Sequence, residues 1–204
     1  TIVIVLADHG DGMGSHRMVT KQVSFYEEMT NVPFIIAGPG IHPRQKPVED
    51  LLTQPTIDLL PTLCELAGIP VPSSKPGISL APFLKGEKQK RQHPYAASEW
   101  HSEYEVTVSP GRMIRSPRYK YTHYLEGNGE ELYDMLKDKG ERRNLAHDPK
   151  YSKILAEHRA LLDDYIRRTQ DDYRSLKVEA DKRWRSHAPG YPNHEGPCAR
   201  DIIN

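Results

Sequence analysis

The stretch that decides the fold of this 204-residue chain is residues 1–40, TIVIVLADHGDGMGSHRMVTKQVSFYEEMTNVPFIIAGPG. It opens with an apolar run rich in Ile and Val, Thr1 to Ala7, which turn residues end at once. A short, continuous apolar run of this kind predicts a strand buried on both faces of a parallel α/β sheet. A second buried strand is predicted from Val32 to Ala37. The stretch therefore indicates an α/β fold.

A cluster of ionisable side chains follows the first strand, in Asp8-His9-Gly10-Asp11-Gly12. Ligands bind at the carboxyl ends of strands in open α/β sheets, and glycines permit the sharp turn there. A carboxylate suits hard cations such as calcium or magnesium, whereas imidazole suits zinc better. His16 and Lys21 follow in the same loop, and a lysine near a metal can stabilise a leaving oxygen. The alternative is a plain turn, in which Asp8 bonds its own backbone.

The same stretch resembles the C-terminal half of type I, formylglycine-dependent sulfatases of the alkaline-phosphatase-like superfamily. The resemblance rests on order and spacing taken together, at Asp8-His9-Gly10-Asp11, Gly14, His16, Lys21, Phe25-Tyr26-Glu27-Glu28, Val32-Pro33 and Gly38-Pro39-Gly40. It implies an α/β fold, the C-terminal portion of an alkaline-phosphatase-like mixed sheet with helices. A small α+β subdomain, an antiparallel sheet covered by a long helix, is expected to follow.

The resemblance implies a role for each of four residues. Asp8 and His9 are expected to be two ligands of the active-site divalent cation, which in this family is usually calcium. Lys21 is expected to be a catalytic residue that contacts both the sulfate and the leaving-group oxygen. His16 matches a position that faces the substrate, which is expected to be a sulfated sugar or an aryl sulfate.

The sequence departs from the family pattern at the nucleophile. Sulfatases of this type use a cysteine, or sometimes a serine, in a Cys-x-Pro-Ser-x-Arg-like motif, and it is oxidised to formylglycine. The two cysteines here, Cys64 and Cys198, lie in Leu-Cys-Glu-Leu and Pro-Cys-Ala-Arg, without that context. The amino-terminal pair of metal-binding aspartates is absent as well. We therefore expect this chain to be inactive alone and to require an N-terminal sulfatase half that carries the formylglycine.

Two alternatives to a sulfatase stay open. The first is a phosphodiesterase or phosphonate hydrolase of the same superfamily, which shares the Asp-His-Gly strand end. Turnover of phosphoesters with a transition metal distinguishes it from a calcium-dependent sulfatase. The second is a non-catalytic, truncated remnant that acts as a structural partner, which agrees with the missing nucleophile motif.

Bulk composition limits the classes of partner and location. The chain carries 28 basic and 28 acidic residues, so it has no excess positive charge for nucleic acid. No segment approaches the roughly 20 apolar residues of a membrane-spanning helix. The family resemblance implies an exported, periplasmic or lysosomal protein. A hydrophobic fraction of 37% is low for a whole α/β enzyme and fits a sheet completed by strands from elsewhere.

The patterns divide the chain into three segments. Residues 1–90 are predicted to be the C-terminal part of the catalytic α/β domain, with an amphipathic helix from Thr56 to Ala67. Residues 91–172 are predicted to form the small subdomain, whose alternating strands suit a sheet with one face in water. Its covering helix runs over residues 150–172 on an apolar stripe. Residues 173–204 have no period and are predicted to be an irregular C-terminal tail.

Several polar or unusual residues are given structural roles. Glu27 and Glu28 are interpreted as the solvated face of a short helix. Cys64 lies on the apolar face of its helix and is interpreted as a small core residue. Pro61 is expected near the first turn of that helix, because proline lacks an N–H group. His158 lies on an apolar stripe and is interpreted as a packed histidine.

Overall fold

A computed structural model describes residues 1–18, 24–48, 51–74, 76–89, 93–101, 110–125 and 129–176. In these residues the chain forms two sheets and four α-helices. The strands are β1 Val3–Leu6, β2 Phe34–Ala37, β3 Ala96–Trp100, β4 Gly111–Arg115, β5 Tyr119–Tyr124 and β6 Gly129–Asp134. The helices are α1 Glu27–Thr30, α2 Pro55–Ala67, α3 Ala81–Leu84 and α4 Ser152–Thr169. This mixed α/β architecture, with antiparallel sheets and a long helix near its end, confirms the predicted fold class.

The described residues group into two compact units. The first comprises Thr1–Gly10 and Asn31–Ala96, and the second comprises Asp11–Thr30 together with the described residues from Ala97 onward. Residues 11–30 therefore group with the small sheet rather than with the strands on either side of them in sequence. The predicted domain limits at residues 90 and 172 stay predictions.

Strand β1 differs from its prediction in both direction and burial. It pairs with β2 in an antiparallel two-stranded sheet, with Val3 opposite Ala37 and Val5 opposite Ile35. Those four residues share one face of the sheet, and Val3 and Ile35 are each 57% exposed. The prediction of a parallel strand buried on both faces was therefore wrong for this chain. An apolar run indicates only that a strand will be covered, not which segment covers it.

Helix α2 is the centre of the first unit, and it continues through Pro61. The expectation that Pro61 lies near the first turn was wrong, because the helix begins at Pro55. Pro61 has no N–H group for the carbonyl of Ile57, four residues earlier. The backbone of Gly77 packs against that carbonyl, so closely that a β-carbon on Gly77 would overlap the oxygen.

Two buried polar side chains of α2 hold the following loop in place. Asp58, which is fully buried, accepts hydrogen bonds from the backbone N–H groups of Gln54 and Ile78, both at 2.8 Å. His93 Nε2 lies 2.7 Å from the same carboxylate. Thr62 donates to the carbonyl of Asp58 and accepts from the N–H group of Leu80 at 2.9 Å. A long connection with few apolar residues is thus ordered by hydrogen bonds to one helix.

The end of α2 agrees with the sequence pattern. Gly68 has a φ of 70°, the left-handed conformation in which glycine ends many helices. The N–H group of Ile69 donates to the carbonyl of Cys64 at 2.9 Å, which completes the turn. Cys64 itself is 5% exposed, so its interpretation as a core residue is confirmed. The connection that follows α2 contains the short helix α3.

The second unit is built on a four-stranded sheet in the order β3-β4-β5-β6. Its β4–β5 and β5–β6 pairs are antiparallel, with Lys120 of β5 opposite Arg115 on one side and Tyr133 on the other. Side chains alternate between faces, so Lys120, Thr122 and Tyr124 share one face of β5. All three are buried, and so is Tyr121 on the opposite face. The prediction of one solvent-facing side was therefore wrong.

Each face of this sheet has its own cover. Phe25 packs on Met113 and Tyr124 on one face, and Tyr26 packs among Met18, Met29, Tyr133 and Met135. Helix α4 packs against β4 and β5, and its buried residues are Leu155, His158 and Leu162. Sequence alternation did not reveal the first cover, because residues 25–29 are some 70 positions before the start of the sheet.

His158 and Tyr173 fix the side of the sheet that faces α4. His158 donates from Nδ1 to the carbonyl of Ile154 at 2.8 Å, and its Nε2 accepts from the Ser116 hydroxyl at 2.9 Å. It is 5% exposed, which confirms its interpretation as a packed histidine. Tyr173, at the start of the predicted tail, is fully buried in a short 3-10 helix and donates to the carbonyl of His123. Among the described helices, none is both long and apolar enough to cross a membrane.

The close approach at Gly77 predicts a large cost for a side chain there. Gly77 has a φ of 112°, and a β-carbon would meet the Ile57 carbonyl as well as adopt a disfavoured backbone. We expect Gly77→Ala to lower the free energy of unfolding by about 3 kcal/mol. The measurement is a urea titration of the full chain followed by circular dichroism.

Gly40→Ala is the matched control for this experiment. Gly40 lies in the same unit with a φ of 78°, but a β-carbon added there would have nothing within 4 Å. Gly40→Ala should therefore lower the free energy of unfolding only by the cost of the left-handed backbone conformation, about 1 kcal/mol. Equal losses for the two variants would contradict the packing argument for Gly77.

Candidate functional site

The loop after β1 brings Asp8 and His9 side by side at the surface of the first unit. The Asp8 carboxylate accepts from the backbone N–H group of His9 at 3.0 Å, as the plain-turn alternative expects. Its other oxygen lies 3.7 Å from His9 Nε2. His9 Nδ1 lies 2.7 Å from the carbonyl of Gly10, and a carbonyl can only accept, so Nδ1 carries the proton. In the neutral imidazole with this proton, Nε2 is the nitrogen with a lone pair.

This geometry fits two ligands of one divalent cation. Two ligand atoms at 2.3–2.6 Å from a calcium ion and at right angles to it lie about 3.3–3.7 Å apart. The separation of 3.7 Å between the Asp8 oxygen and His9 Nε2 falls at the end of that range. A metal-binding histidine usually donates its second N–H to a carbonyl or carboxylate, as His9 does to Gly10. Two ligands cannot complete a shell of six to eight, so others would have to come from elsewhere.

The second unit begins with a tight loop that carries His16. Gly12 lies against Met18, so closely that a β-carbon on the glycine would overlap that of the methionine. Backbone hydrogen bonds from Gly14 to Met18 and from Ser15 to Gly12 close the loop. His16 has a φ of 48°, an uncommon left-handed conformation for a residue with a side chain. Such strain persists only where surrounding contacts fix it, and it is common at functional sites.

The contacts that fix His16 come from Tyr26 and Glu28. The imidazole lies face to face on the Tyr26 ring, with ring centroids 3.7 Å apart and parallel planes. His16 Nε2 lies 3.6 Å from a carboxylate oxygen of Glu28. Burial lowers the pKa of His16 below its ordinary value of 6.5, while Glu28 opposes that shift. Burial also raises the pKa of Tyr26, so the ring beneath His16 is the neutral phenol. At neutral pH the site therefore presents a neutral, oriented imidazole.

Not every residue predicted for the site can be placed. Lys21, predicted to be the catalytic and sulfate-contacting residue, lies outside the described residues. Asp8 and His9 belong to the first unit, and His16 belongs to the second. The roles assigned to all four residues stay predictions.

A buried charge cluster beside the His16 loop was missed from sequence. Lys120 Nζ lies 2.7 Å from Glu27 Oε1 and 2.9 Å from Glu141 Oε1, and it donates to the carbonyl of Phe25 at 2.8 Å. Arg115 lies 3.7 Å from Glu27. The interpretation of Glu27 and Glu28 as a solvated face was therefore wrong, because both carboxylates have partners within the unit. The available signal was the position of Lys120 on the same strand face as Tyr124, a buried aromatic.

One group of side chains near this cluster has the donor atoms of a metal site. Ligand atoms of His16, Glu28 and Glu141 all lie within 4.8 Å of one another. However, the ammonium group of Lys120 lies 2.9 Å from Glu141 and already supplies a positive charge at that position. A divalent cation there would be repelled by a neighbouring ammonium. The group of His16, Glu28 and Glu141 therefore suits a divalent cation poorly.

Comparison with known proteins identifies the family to which this chain belongs. Residues 14–168 match the family profile of the N-sulphoglucosamine sulphohydrolase C-terminal region. The match covers most of the chain, so the chain belongs to this family, as the sequence resemblance predicted.

Individual relatives are similar over nearly the whole chain. A Delta 4,5-hexuronate-2-O-sulfatase of Bacteroides thetaiotaomicron is 76% identical over 203 residues, which is 100% of this chain and 42% of the relative. The solved structure of a 2-O GAG sulfatase is 77% identical, has a TM-score of 0.88, and is matched over 99% of this chain and 44% of that one. A phosphonate monoester hydrolase from Silicibacter pomeroyi is 27% identical, with a TM-score of 0.72, over 89% of this chain and 38% of that one. The chain thus spans less than half the length of these relatives.

The environments of the partly buried His16 and the buried His158 predict how stability responds to acid. Burial lowers the pKa of His16 and of His158 below 6.5, so the folded state binds a proton less readily than the unfolded state. Their contribution to stability is therefore complete above pH 6.5 and is lost as the pH falls toward the depressed folded-state values. We expect histidine-selective NMR titrations to give midpoints below 6.5 for both rings. A midpoint at or above 6.5 for either ring would contradict the burial argument.

Proposed function

We propose that this chain is the C-terminal portion of a sulfatase that hydrolyses a sulfate ester of a sugar. The substrate class we favour is an unsaturated hexuronate sulfated at its 2-O position. The single observation that carries this choice is the 76% identity, along the whole chain, to a Delta 4,5-hexuronate-2-O-sulfatase. Sequence reasoning alone left a sulfated sugar and an aryl sulfate equally open.

In this proposal the chain supplies half of the reacting site. Asp8 and His9 hold a divalent cation, which we take to be calcium, and the proton on His9 Nδ1 keeps Nε2 available as a ligand. When bound, such a cation supplies Lewis-acid stabilisation of charge on the sulfate oxygens. Lys21 contacts the sulfate and the leaving-group oxygen, where its positive charge offsets the charge that develops. His16 contacts the sugar through its neutral imidazole.

The nucleophile comes from outside this chain in the proposal. Cys64 is buried in the first unit, on the apolar face of α2, and it lacks the expected motif. Cys198 lacks the motif as well and lies outside the described residues. We infer that a formylglycine is carried by the N-terminal portion of a sulfatase, which is the principal partner of this chain.

The exposed apolar surface of the first unit supports the proposal that such a partner binds this chain. Val3, Val5, Ile35 and Ala37 form one face of the β1–β2 sheet and are all exposed. Leu60 and Leu63, one helical turn apart on α2, are 44% and 39% exposed. Contiguous exposed apolar residues mark surfaces that bind another protein segment. The N-terminal portion of a sulfatase would cover these faces and complete the sheet.

A chimera tests the proposed activity. The chain would replace the matching 42% of the Bacteroides thetaiotaomicron relative. We expect the chimera to release sulfate from a 2-O-sulfated unsaturated disaccharide, and the isolated chain to release none, because it lacks a nucleophile. Lys21→Ala should lower kcat in the chimera by about 100-fold or more, since a charge at the reacting centre is lost. The measurement is sulfate release by ion chromatography.

Lys46→Ala is the matched control, because Lys46 is an exposed lysine in a connecting loop of the first unit. It should leave kcat unchanged. Turnover by the isolated chain, or a higher kcat/KM for a phosphonate monoester than for the sulfate ester, would overturn the proposal. The second result would favour the phosphonate hydrolase alternative, to which one structural relative belongs.

The proposed cation site makes a separate prediction. Asp8→Asn and His9→Ala should each weaken calcium binding to the chimera by at least about tenfold, because each removes a ligand. Glu65→Gln, at an exposed position on α2, should leave the affinity unchanged. Calorimetric titration of calcium into the metal-free chimera measures all three. Unchanged affinity in both site variants would reject Asp8 and His9 as ligands.

A further inference from the structure

The ammonium group of Lys120 lies in the interior of the second unit, where a charge requires complete pairing. Lys120 is 1% exposed and Glu141 is 2% exposed. A lysine ammonium has three N–H donors. Three acceptors surround it, the carbonyl of Phe25 and the carboxylates of Glu27 and Glu141, at 2.7–2.9 Å. The ammonium donates to the Phe25 carbonyl and forms ion pairs with the two carboxylates, and two of these three groups belong to one short segment, residues 25–27.

The same short segment carries the residues that hold His16. Tyr26 lies between Phe25 and Glu27, and its ring is the surface on which the His16 imidazole is stacked. Glu28 follows, with a carboxylate oxygen 3.6 Å from His16 Nε2. The backbone N–H group of Glu27 also donates to Glu141 at 2.7 Å, so the backbone is anchored on both sides of Tyr26.

We infer that Lys120 is a positioning residue for His16. Its ammonium group clamps residues 25–27 to the small sheet, and this clamp holds Tyr26 and Glu28 in the positions that orient the imidazole. Lys120 itself contacts neither the imidazole nor, in this inference, the substrate. The consequence for substrate binding rests on the proposed function, whereas the orientation of His16 by the clamp does not.

A substitution that tests the clamp without destabilising the whole unit must leave no buried charge unpaired. Lys120→Met alone would leave Glu141 unpaired in the interior, which is strongly destabilising. The double variant Lys120→Met with Glu141→Gln removes both charges, and the glutamine oxygen can still accept from the N–H group of Glu27. It eliminates the grip of the ammonium on Phe25 and Glu27, while the Glu27 carboxylate keeps its ion pair with Arg115 at 3.7 Å.

Arg112→Met with Asp171→Asn is the matched control. Arg112 is another buried cation of the same sheet, 3% exposed, and its guanidinium donates to the Asp171 carboxylate at 2.6 Å and 2.9 Å. The control therefore removes one buried ion pair by the same kind of exchange. It alters the connection between β4 and the residues after α4 instead of residues 25–27.

The first measurement is the position of the His16 ring protons in NMR spectra of the full chain. Stacking on Tyr26 should shift these protons upfield, and Tyr26→Leu should abolish the shift. We expect the Lys120→Met/Glu141→Gln variant to lose more than half of it, and the control variant to retain it. The His158 ring, packed against Tyr119 on the other face of the sheet, should stay unchanged in both. An unaltered His16 ring in a folded clamp variant would overturn the inference.

The second measurement is kinetic and uses the chimera. A misplaced His16 should raise KM for the sulfated disaccharide by about three- to tenfold with little change in kcat, because a binding contact is lost and not the reacting group. Equal losses in kcat for the clamp and control variants would indicate a merely structural role and would overturn the inference. Absence of turnover in the unsubstituted chimera would reject the proposed function and leave the NMR result to decide the positioning role.

Discussion

The second unit depends on the pairing of one buried ammonium group. Lys120 is removed from water, so its ammonium group needs partners, and these come from two segments far apart in sequence, residues 25–27 and Glu141. The cost of leaving such a charge unpaired exceeds the contribution of most single contacts in a domain. The requirement fixes residues 25–27 against β5, and the loop that carries His16 follows from them. One interior charge therefore determines the geometry of a surface loop.

The first unit is held together differently. Asp58 and Thr62 of α2 bind the backbone of residues 78–80 through hydrogen bonds, while the β1–β2 sheet exposes an apolar face. Hydrogen bonds give the connection its specificity but contribute little of the free energy that apolar burial provides. The loop with Asp8 and His9 thus lies on a sheet whose apolar surface is largely uncovered within the described residues. A partner that covers this surface would also support the proposed cation ligands.

The fold by itself does not choose the reaction. A phosphonate monoester hydrolase shares the architecture, as do the sulfatases, so this fold is common to more than one chemistry. Membership of the sulfatase family comes from the match over residues 14–168, and the sugar ester is proposed from identity along the whole chain. The proposed cation site has a separate argument. The spacing of Asp8 and His9 and the tautomer of His9 suit a shared cation.

The sequence by itself determined the fold class, the course of α2 and α4, and the chemical character of Asp8 and His9. These features depend on local periodicity and on side-chain chemistry, which are readable along the chain. Only the tertiary structure decided the direction of β1, the cover on both faces of the small sheet, and the role of Lys120 with Glu27 and Glu141. Those features arise from segments some 20 to 120 residues apart, and a strand or a charge carries no local mark of the partner that will meet it.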